Sequence, residues 1–311
     1  MTAFEQQHFR EEWERYVKQG KAKSRANKAA RRRRGKKRRH TFRPALKNVP
    51  QYCLDGKSRA GCISAASGRT EIDLTLLSPD TMQVFAVRTL ADKEGEQTAA
   101  QEILKCEGAK LPCGVLTGDA GITCPAVISA VIGAGHHYLF GLKGNAGHVF
   151  TAIENYPWGE LEDTDLFFNE GHGREEIRSI KRAPTTAFGP VEQFAKYENA
   201  AVVFEVTADI HHVKEDLFTT ETRYFLGDRW TAGLSAHEAI TYIRDHWQQE
   251  SYHWVKDVVL GEDSCPHKTP GGSRTLGILR AMTVRLGRSL FGSTKRFVDH
   301  FIAEPEKYSK M

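Results

Sequence analysis

Between residues 51 and 143 the chain passes through three strand-like runs, a helix, a strand, a second helix and a last strand. The first runs are "QYCLD" (51–55), "EIDLTLLS" (71–78) and "MQVFAVRTL" (82–90), the last two separated by the turn signal "PDT". Helix formers fill "EGEQTAAQEILKC" (94–106), and "CGVLTGD" (113–119) is again short and apolar. "CPAVISAVIGAG" (124–135) has Pro near its start and Gly at its end, as helices favour, and "HHYLFGLK" (136–143) returns to strand character. A meander followed by helical crossovers predicts an α/β protein with a mixed sheet flanked by helices.

That order matches the ribonuclease-H-like mixed sheet, in which the first and fourth strands lie side by side and parallel. Both of those runs end in an aspartate, Asp55 and Asp119. Pairing them would bring the two carboxylates to one edge of the sheet, where open α/β sheets commonly place active sites. Further along, "REEIRSIKRA", "AVVFEVTADI" and "TETRYFLGD" read as strands of a β region inserted at about 150–228. Residues 235–260 are strongly helical, with Ser235 as N-cap and Glu238 three residues on, a capping-box pattern. Residues 274–291 predict a final amphipathic, basic helix.

Charge divides the chain. From Lys18 to Leu54 there are fifteen Lys or Arg and no Asp or Glu, which leaves 44 − 15 = 29 basic against 39 acidic residues elsewhere. A basic arm is thus attached to an acidic body. Its densest part holds Arg31, Arg32, Arg33, Arg34, Lys36, Lys37, Arg38 and Arg39, the composition of a disordered segment that binds a polyanion by counterion release. Residues 1–17 predict a short amphipathic helix, 18–43 the arm, and 44–311 the folded body. No run of eighteen apolar residues and no secretory signal is present, so a cytoplasmic protein is expected, with no membrane partner. The six cysteines form no C-x-x-C pair and are expected to be reduced and mostly buried.

The third carboxylate of interest is Glu250, on a predicted helical stripe with Ile243, His246, Trp247, His253, Trp254 and Asp257. Two tryptophans on the stripe point it inward, where a carboxylate is costly unless paired or bound to metal. Taken alone, Asp55 suits a turn, Asp119 a helix cap, and Glu250 an ion pair with Arg244 or a solvated position. Taken together, three carboxylates repel and raise one another's pKa values, and hard divalent cations relieve that repulsion. Two such ions serve phosphodiester chemistry. A zinc site of His246, Glu250 and His253 is the weaker alternative, because it lacks the H-E-x-x-H spacing; the two histidines suit helix packing.

The stretches "LDGKSRAG", "LTGDAGITCPAVISAVIGAGHHYLFGLKGNAG", "HGREEIR" and "IRDHWQQESYHWVKDVVLGED" occur in the order of the bacterial insertion-sequence transposases of the DDE type, and the chain resembles the branch that includes the H-repeat-associated proteins. The resemblance runs from about residue 51 to 290. It implies that Asp55, Asp119 and Glu250 are catalytic and hold Mg²⁺ or Mn²⁺, two ions in all. It also implies strand cleavage at transposon ends, strand transfer by 3′-hydroxyl attack, and a homodimer on DNA, associated with the nucleoid. Lys143 and Asn145 of "LKGN" match positions near the DNA backbone, and Arg174 and Arg244 are further DNA-contact candidates. The β region before Glu250 matches the insertion of this group.

The chain departs from the family pattern at Gln249, where isoleucine is usual, and at Ser251, where asparagine is usual. "AGITCP" replaces "AMGCQ" after Asp119. The basic arm stands where the family carries an apolar domain, which implies a truncated or domesticated copy. The alternative function is therefore a non-catalytic nucleic-acid-binding protein that works through its arm.

Overall fold

The computed structural model describes residues 47–63, 68–161, 165–171, 173–189, 192, 194–265 and 270–303. The expected N-terminal helix and the whole basic arm (18–43), including Arg31 to Arg39, lie outside the described residues.

Among the described residues, nine strands form one sheet in the order β3-β2-β1-β4-β5-β9-β8-β7-β6. They are β1 (Gln51–Ile63), β2 (Thr70–Ser78), β3 (Gln83–Leu90), β4 (Val115–Gly118), β5 (His137–Leu142), β6 (Asp165–Gly171), β7 (Arg174–Pro184), β8 (Ala200–His212) and β9 (Leu217–Asp228). β1 pairs antiparallel with β2 but parallel with β4, and β4 is parallel to β5. Both parallel joins require crossovers. These are α1 (Glu96–Cys106), reached through β2 and β3, and α2 (Pro125–Gly133), with Pro125 at its first turn. The sheet is therefore mixed, as the element order predicts.

Side-chain alternation sorts the strands between two helical layers. Tyr52, Leu54, Leu116, Tyr138 and Phe140 pack against Ile103 and Leu104 of α1 and Val127 and Val131 of α2. On the other face, Val115 and Leu139 meet Ile240, Tyr242 and Ile243 of α4 (Ala236–His246). The short α3 (His148–Glu154) leads from β5 toward the inserted strands. The capping box forms: Ser235 Oγ accepts from the Glu238 N–H at 3.3 Å, and the Ser235 N–H donates to Glu238 Oε2 at 2.9 Å.

The single helix expected over 235–260 is instead α4, then α5 (Gln248–Trp254), then a π-helical turn at Val255–Val259. Each break rotates the helix face. The stripe expected to point inward is therefore split: Ile243 is buried, whereas Trp254 is 56% exposed. The basic helix α6 (Pro270–Phe291) and α7 (Thr294–Ala303) follow.

The inserted strands do not form a separate sheet. β9 pairs with β5 only through Tyr224–Gly227, so Leu217–Arg223 and the β8, β7 and β6 residues paired to them continue past the C-terminal end of β5. At strand rise this overhang is roughly 20 Å long. Four strands fill the insertion where the sequence patterns suggest three.

Of the six cysteines only Cys53 is buried; Cys106 and Cys113 are exposed. They lie on the outer turn of α1 and in the loop before β4, where the apolar rows do not reach. No helix among the described residues is long and apolar enough to cross a membrane.

Candidate active site

Strand register creates the site. The β1–β4 ladder ends at Leu54↔Gly118, so Asp55 and Asp119 are the next residues on adjacent parallel strands, about 4.8 Å apart along the hydrogen-bonding direction. Both alternate with residues of the α1–α2 face and so point to the α4–α5 face. Asp55 is not at a strand end, because β1 continues through Gly56 to Ile63 alongside β2. What ends beside it is β4. The Asp-Gly pair consequently makes no turn.

Asp119 opens a tight turn, and its Oδ1 accepts the Ile122 N–H at 3.1 Å. It does not cap α2, whose N-cap is Cys124. Thr123 Oγ1 donates to the Asp119 carbonyl at 2.9 Å and Asn145 Nδ2 to the Ala120 carbonyl at 2.6 Å, so the loop after β5 braces the loop after β4. Asn145 is therefore tied up as a brace, and Lys143 beside it is exposed.

The helical layer is fastened to this edge turn by turn. Gln51 Nε2 donates to the Tyr242 carbonyl at 2.7 Å, and Thr117 Oγ1 hydrogen-bonds His246 Nδ1 at 3.1 Å. Gln249, fully buried, donates through Nε2 to the carbonyls of Asp55 (3.3 Å) and Thr75 (3.2 Å). His253 Nδ1 lies 3.9 Å from Asp55 Oδ2. Lys57 Nζ meets Asp257 Oδ1 at 2.8 Å, with Glu262 and Asp263 at 3.6 and 3.3 Å. Glu250 sits at the margin of this seam, exposed, and its side chain makes no hydrogen bond or ion pair with the described residues.

Burial pushes the Asp55 carboxyl up to about 7, helped by the charges of Asp119, Glu96 and Glu250. Burial pulls the His246 imidazole down to about 4 and His253 to about 3, so both are neutral packing groups. This corrects the zinc alternative, since His246 is spent on Thr117 while Glu250 faces solvent. Among the described residues no three His, Cys, Asp or Glu side chains converge closely enough to hold a metal ion. The donor chemistry nonetheless suits a hard divalent cation: oxygen donors only, with neighbouring charges that a cation would offset.

Two DNA-contact candidates sit elsewhere. Arg174 is exposed at the far end of the overhang, paired in register with His212. Arg244 is half-buried in α4 rather than open to solvent; burial lowers its pKa and the Glu176 charge opposes that. Nearby, Trp247 is flanked by Arg178 at 4.4 Å and Arg223 at 5.2 Å from its ring centre, which binds the overhanging β7 and β9 to the turn before Glu250.

The sequence patterns miss Glu96. It is the first residue of α1 and only 5% exposed, and its carboxylate lies against Gly56. Burial raises its pKa, and Asp119 adds to the effect against Lys93. An acidic residue opening a helix ordinarily complements the helix dipole from a solvated position, so nothing local marks it.

The fold and site together define an α/β protein whose mixed sheet carries an acidic edge under a fastened helix. Sequence comparison then places it among named proteins. The chain is 28% identical over 202 residues to "Putative protein YbfL" of Escherichia coli K12, covering 62% of this chain and 52% of that protein. It is 27% identical over 203 residues to the "H repeat-associated putative transposase YhhI" of the same strain, covering 63% and 52%. It is 24% identical over 262 residues to "Putative transposase YncI" of E. coli O157:H7, covering 78% and 64%. The chain is thus a relative of proteins named as putative transposases, and it spans about half the length of the first two. No protein-family model matches it. Among solved structures, a piggyBac transposase synaptic complex with hairpin DNA aligns with 83% of this chain and 52% of its own, at TM-score 0.45 and 10% identity.

Proposed function

We propose that the protein is a DNA transposase of the DDE type with a ribonuclease-H-like core, in which Asp55, Asp119 and Glu250 hold divalent metal, Mg²⁺ or Mn²⁺. The observation that carries this reading is the register that sets Asp55 beside Asp119 where the β4 ladder ends, under the helix bearing Glu250. The strand order β3-β2-β1-β4-β5 supports the core assignment, and kinship with proteins named as putative transposases supports the chemistry.

Bound cations would activate the attacking oxygen and stabilise the leaving one. The residues supply the rest. Asp55 and Asp119 are fixed by backbone pairing and present oxygen donors on one face, and Glu250 is held over that face with its carboxylate free. Lys143 is exposed just past the end of β5 and could meet a phosphate, Arg174 is open at the overhang's end, and the basic arm adds sequence-independent affinity for the polyanion. The substrate would be DNA: a cut at the element end frees a 3′-hydroxyl, which then attacks target DNA. Joining two ends calls for a homodimer. The retained acidic edge favours this over a binding protein that works through its arm alone.

The test is nicking of supercoiled plasmid with Mn²⁺ or Mg²⁺, wild type against Asp119→Asn. The wild type is expected to nick only with metal and the variant to stay at background. Equal cleavage by both would sink the assignment.

A further inference from the structure

We propose that the outer face of α6 is the docking surface for residues 1–17 of the same chain, so that the basic arm is held at both ends. The proposal is independent of the metal-dependent reading of the acidic edge.

Three observations carry it. The first is the face itself. α6 turns Gly277, Val284 and Gly287 to the body, and on the opposite side Ile278, Leu279, Met282, Leu286 and Leu290 are between 48% and 67% exposed. Leu279, Met282, Leu286 and Leu290 recur at three- and four-residue steps, the spacing with which one helix packs on another. An apolar stripe of this length left open to water marks an interaction surface.

The second is charge. α6 carries Arg274, Arg280, Arg285 and Arg288 and no Asp or Glu. Arg285 borders the stripe, seven residues after Ile278. A second copy of α6 would set these arginines against their own kind. Residues 1–17 are complementary instead. On the helix their sequence predicts, Phe9, Trp13 and Tyr16 share one side, with Glu5 and Glu12 flanking them, and Glu11 and Glu14 leave Arg10 and Arg15 outnumbered.

The third is where the arm enters the body. Lys47 Nζ meets Asp80 Oδ1 at 3.0 Å and Asp245 Oδ2 at 2.7 Å. Asp80 stands in the β2–β3 turn, and Met82 of that turn packs in one cluster with Val284 and Ala281 of α6. The arm is thus rooted beside α6. Residues 18–46 can span up to roughly 100 Å when extended, ample for the chain to return to that helix. An isolated helix as short as 1–17 is marginal in water, so the docked face would supply the stability it needs.

The experiment is hydrogen exchange, read by mass spectrometry on the full chain without DNA, together with the molecular mass from light scattering. The proteins are wild type, Leu286→Glu, Trp13→Glu and, as a control at another exposed apolar residue, Val213→Glu. Wild-type amides of residues 5–17 are expected to exchange at least about tenfold more slowly than an unstructured chain. Leu286→Glu should abolish that protection and leave β1 and β4 protected. Trp13→Glu should abolish it too and speed exchange in residues 278–290. Because the arm separates Trp13 from the folded body, misfolding does not account for that second effect. Val213→Glu should behave like the wild type. Fast exchange throughout residues 1–17 of the wild type overturns the proposal, and so does protection that survives Leu286→Glu. A mass that halves in Leu286→Glu gives the face to a second copy and overturns it as well.

Discussion

Asp55 and Asp119 are placed by one device and Glu250 by another. The aspartates sit on neighbouring strands whose backbone ladder fixes their register, so no side chain is needed to bring them together. Glu250 rides a broken helix whose position depends on side chains: His246 to Thr117, Gln249 to the Asp55 and Thr75 carbonyls, and Lys57 to Asp257. Backbone pairing resists single substitutions, whereas a seam of side-chain contacts can be opened one residue at a time. The helix side of the site should therefore be fragile and the strand side robust.

The largest break should come from Lys57→Met. Lys57 is 9% exposed and faces Asp257, Glu262 and Asp263, so its loss removes the cation that Asp257 meets at 2.8 Å, while Glu262 keeps Lys256 at 2.9 Å. A destabilisation of about 3–5 kcal/mol is expected from urea unfolding. A Lys57→Met, Asp257→Leu double variant should recover part of that.

Asp55→Asn tests the strand side and should do the opposite in metal-free protein. Burial pushes the folded carboxyl up to about 7 from its ordinary 3.8. Below about pH 4 both states are protonated and no penalty exists; the penalty grows as pH rises and is complete above 7. The variant's advantage in unfolding free energy should therefore appear between those limits and level off above them, reaching roughly 1–3 kcal/mol after allowance for partial solvation. A pH-independent difference would contradict the burial of Asp55 among like charges.

Gln249→Leu restores the apolar character usual in the resembled family. It removes two hydrogen bonds to carbonyls that also belong to the β1–β2 ladder, so the cost should be about 1 kcal/mol in chemical denaturation. If the seam positions Glu250, plasmid nicking should fall by more than this loss of stability explains. The smallest effect is expected for Trp247→Leu, which removes the ring between Arg178 and Arg223 at about 0.5–1 kcal/mol. Protease cutting within the overhanging β7 and β9 should rise in that variant.

Much of the strand side was legible in the residues. Apolar runs bounded by turn signals mark β1 to β5, and the two runs carrying Asp55 and Asp119 pair in parallel, as the element order predicts. The capping box at Ser235 was equally plain, because the whole motif spans three residues of separation. The helix face was misjudged. A periodic stripe assumes one unbroken helix, and the break after His246 together with the π turn changes which residues meet the sheet. Gln249 looks like a mere departure from a family pattern until the Asp55 carbonyl is seen within its reach. Arg244 reads as a surface cation, and packing half-buries it beside Glu176.

The sequence alone therefore determined the alternation of elements, the two aspartates at the close of apolar runs, and the split between basic arm and acidic body. These follow from periodicity and composition, which act over a few neighbouring residues. Only the tertiary structure decided that β1 outruns β4, that the inserted strands overhang the acidic edge, and that Glu96 fills the space left by Gly56. Those outcomes depend on contacts between residues far apart in the chain, and no local pattern records where a glycine leaves room for a distant carboxylate.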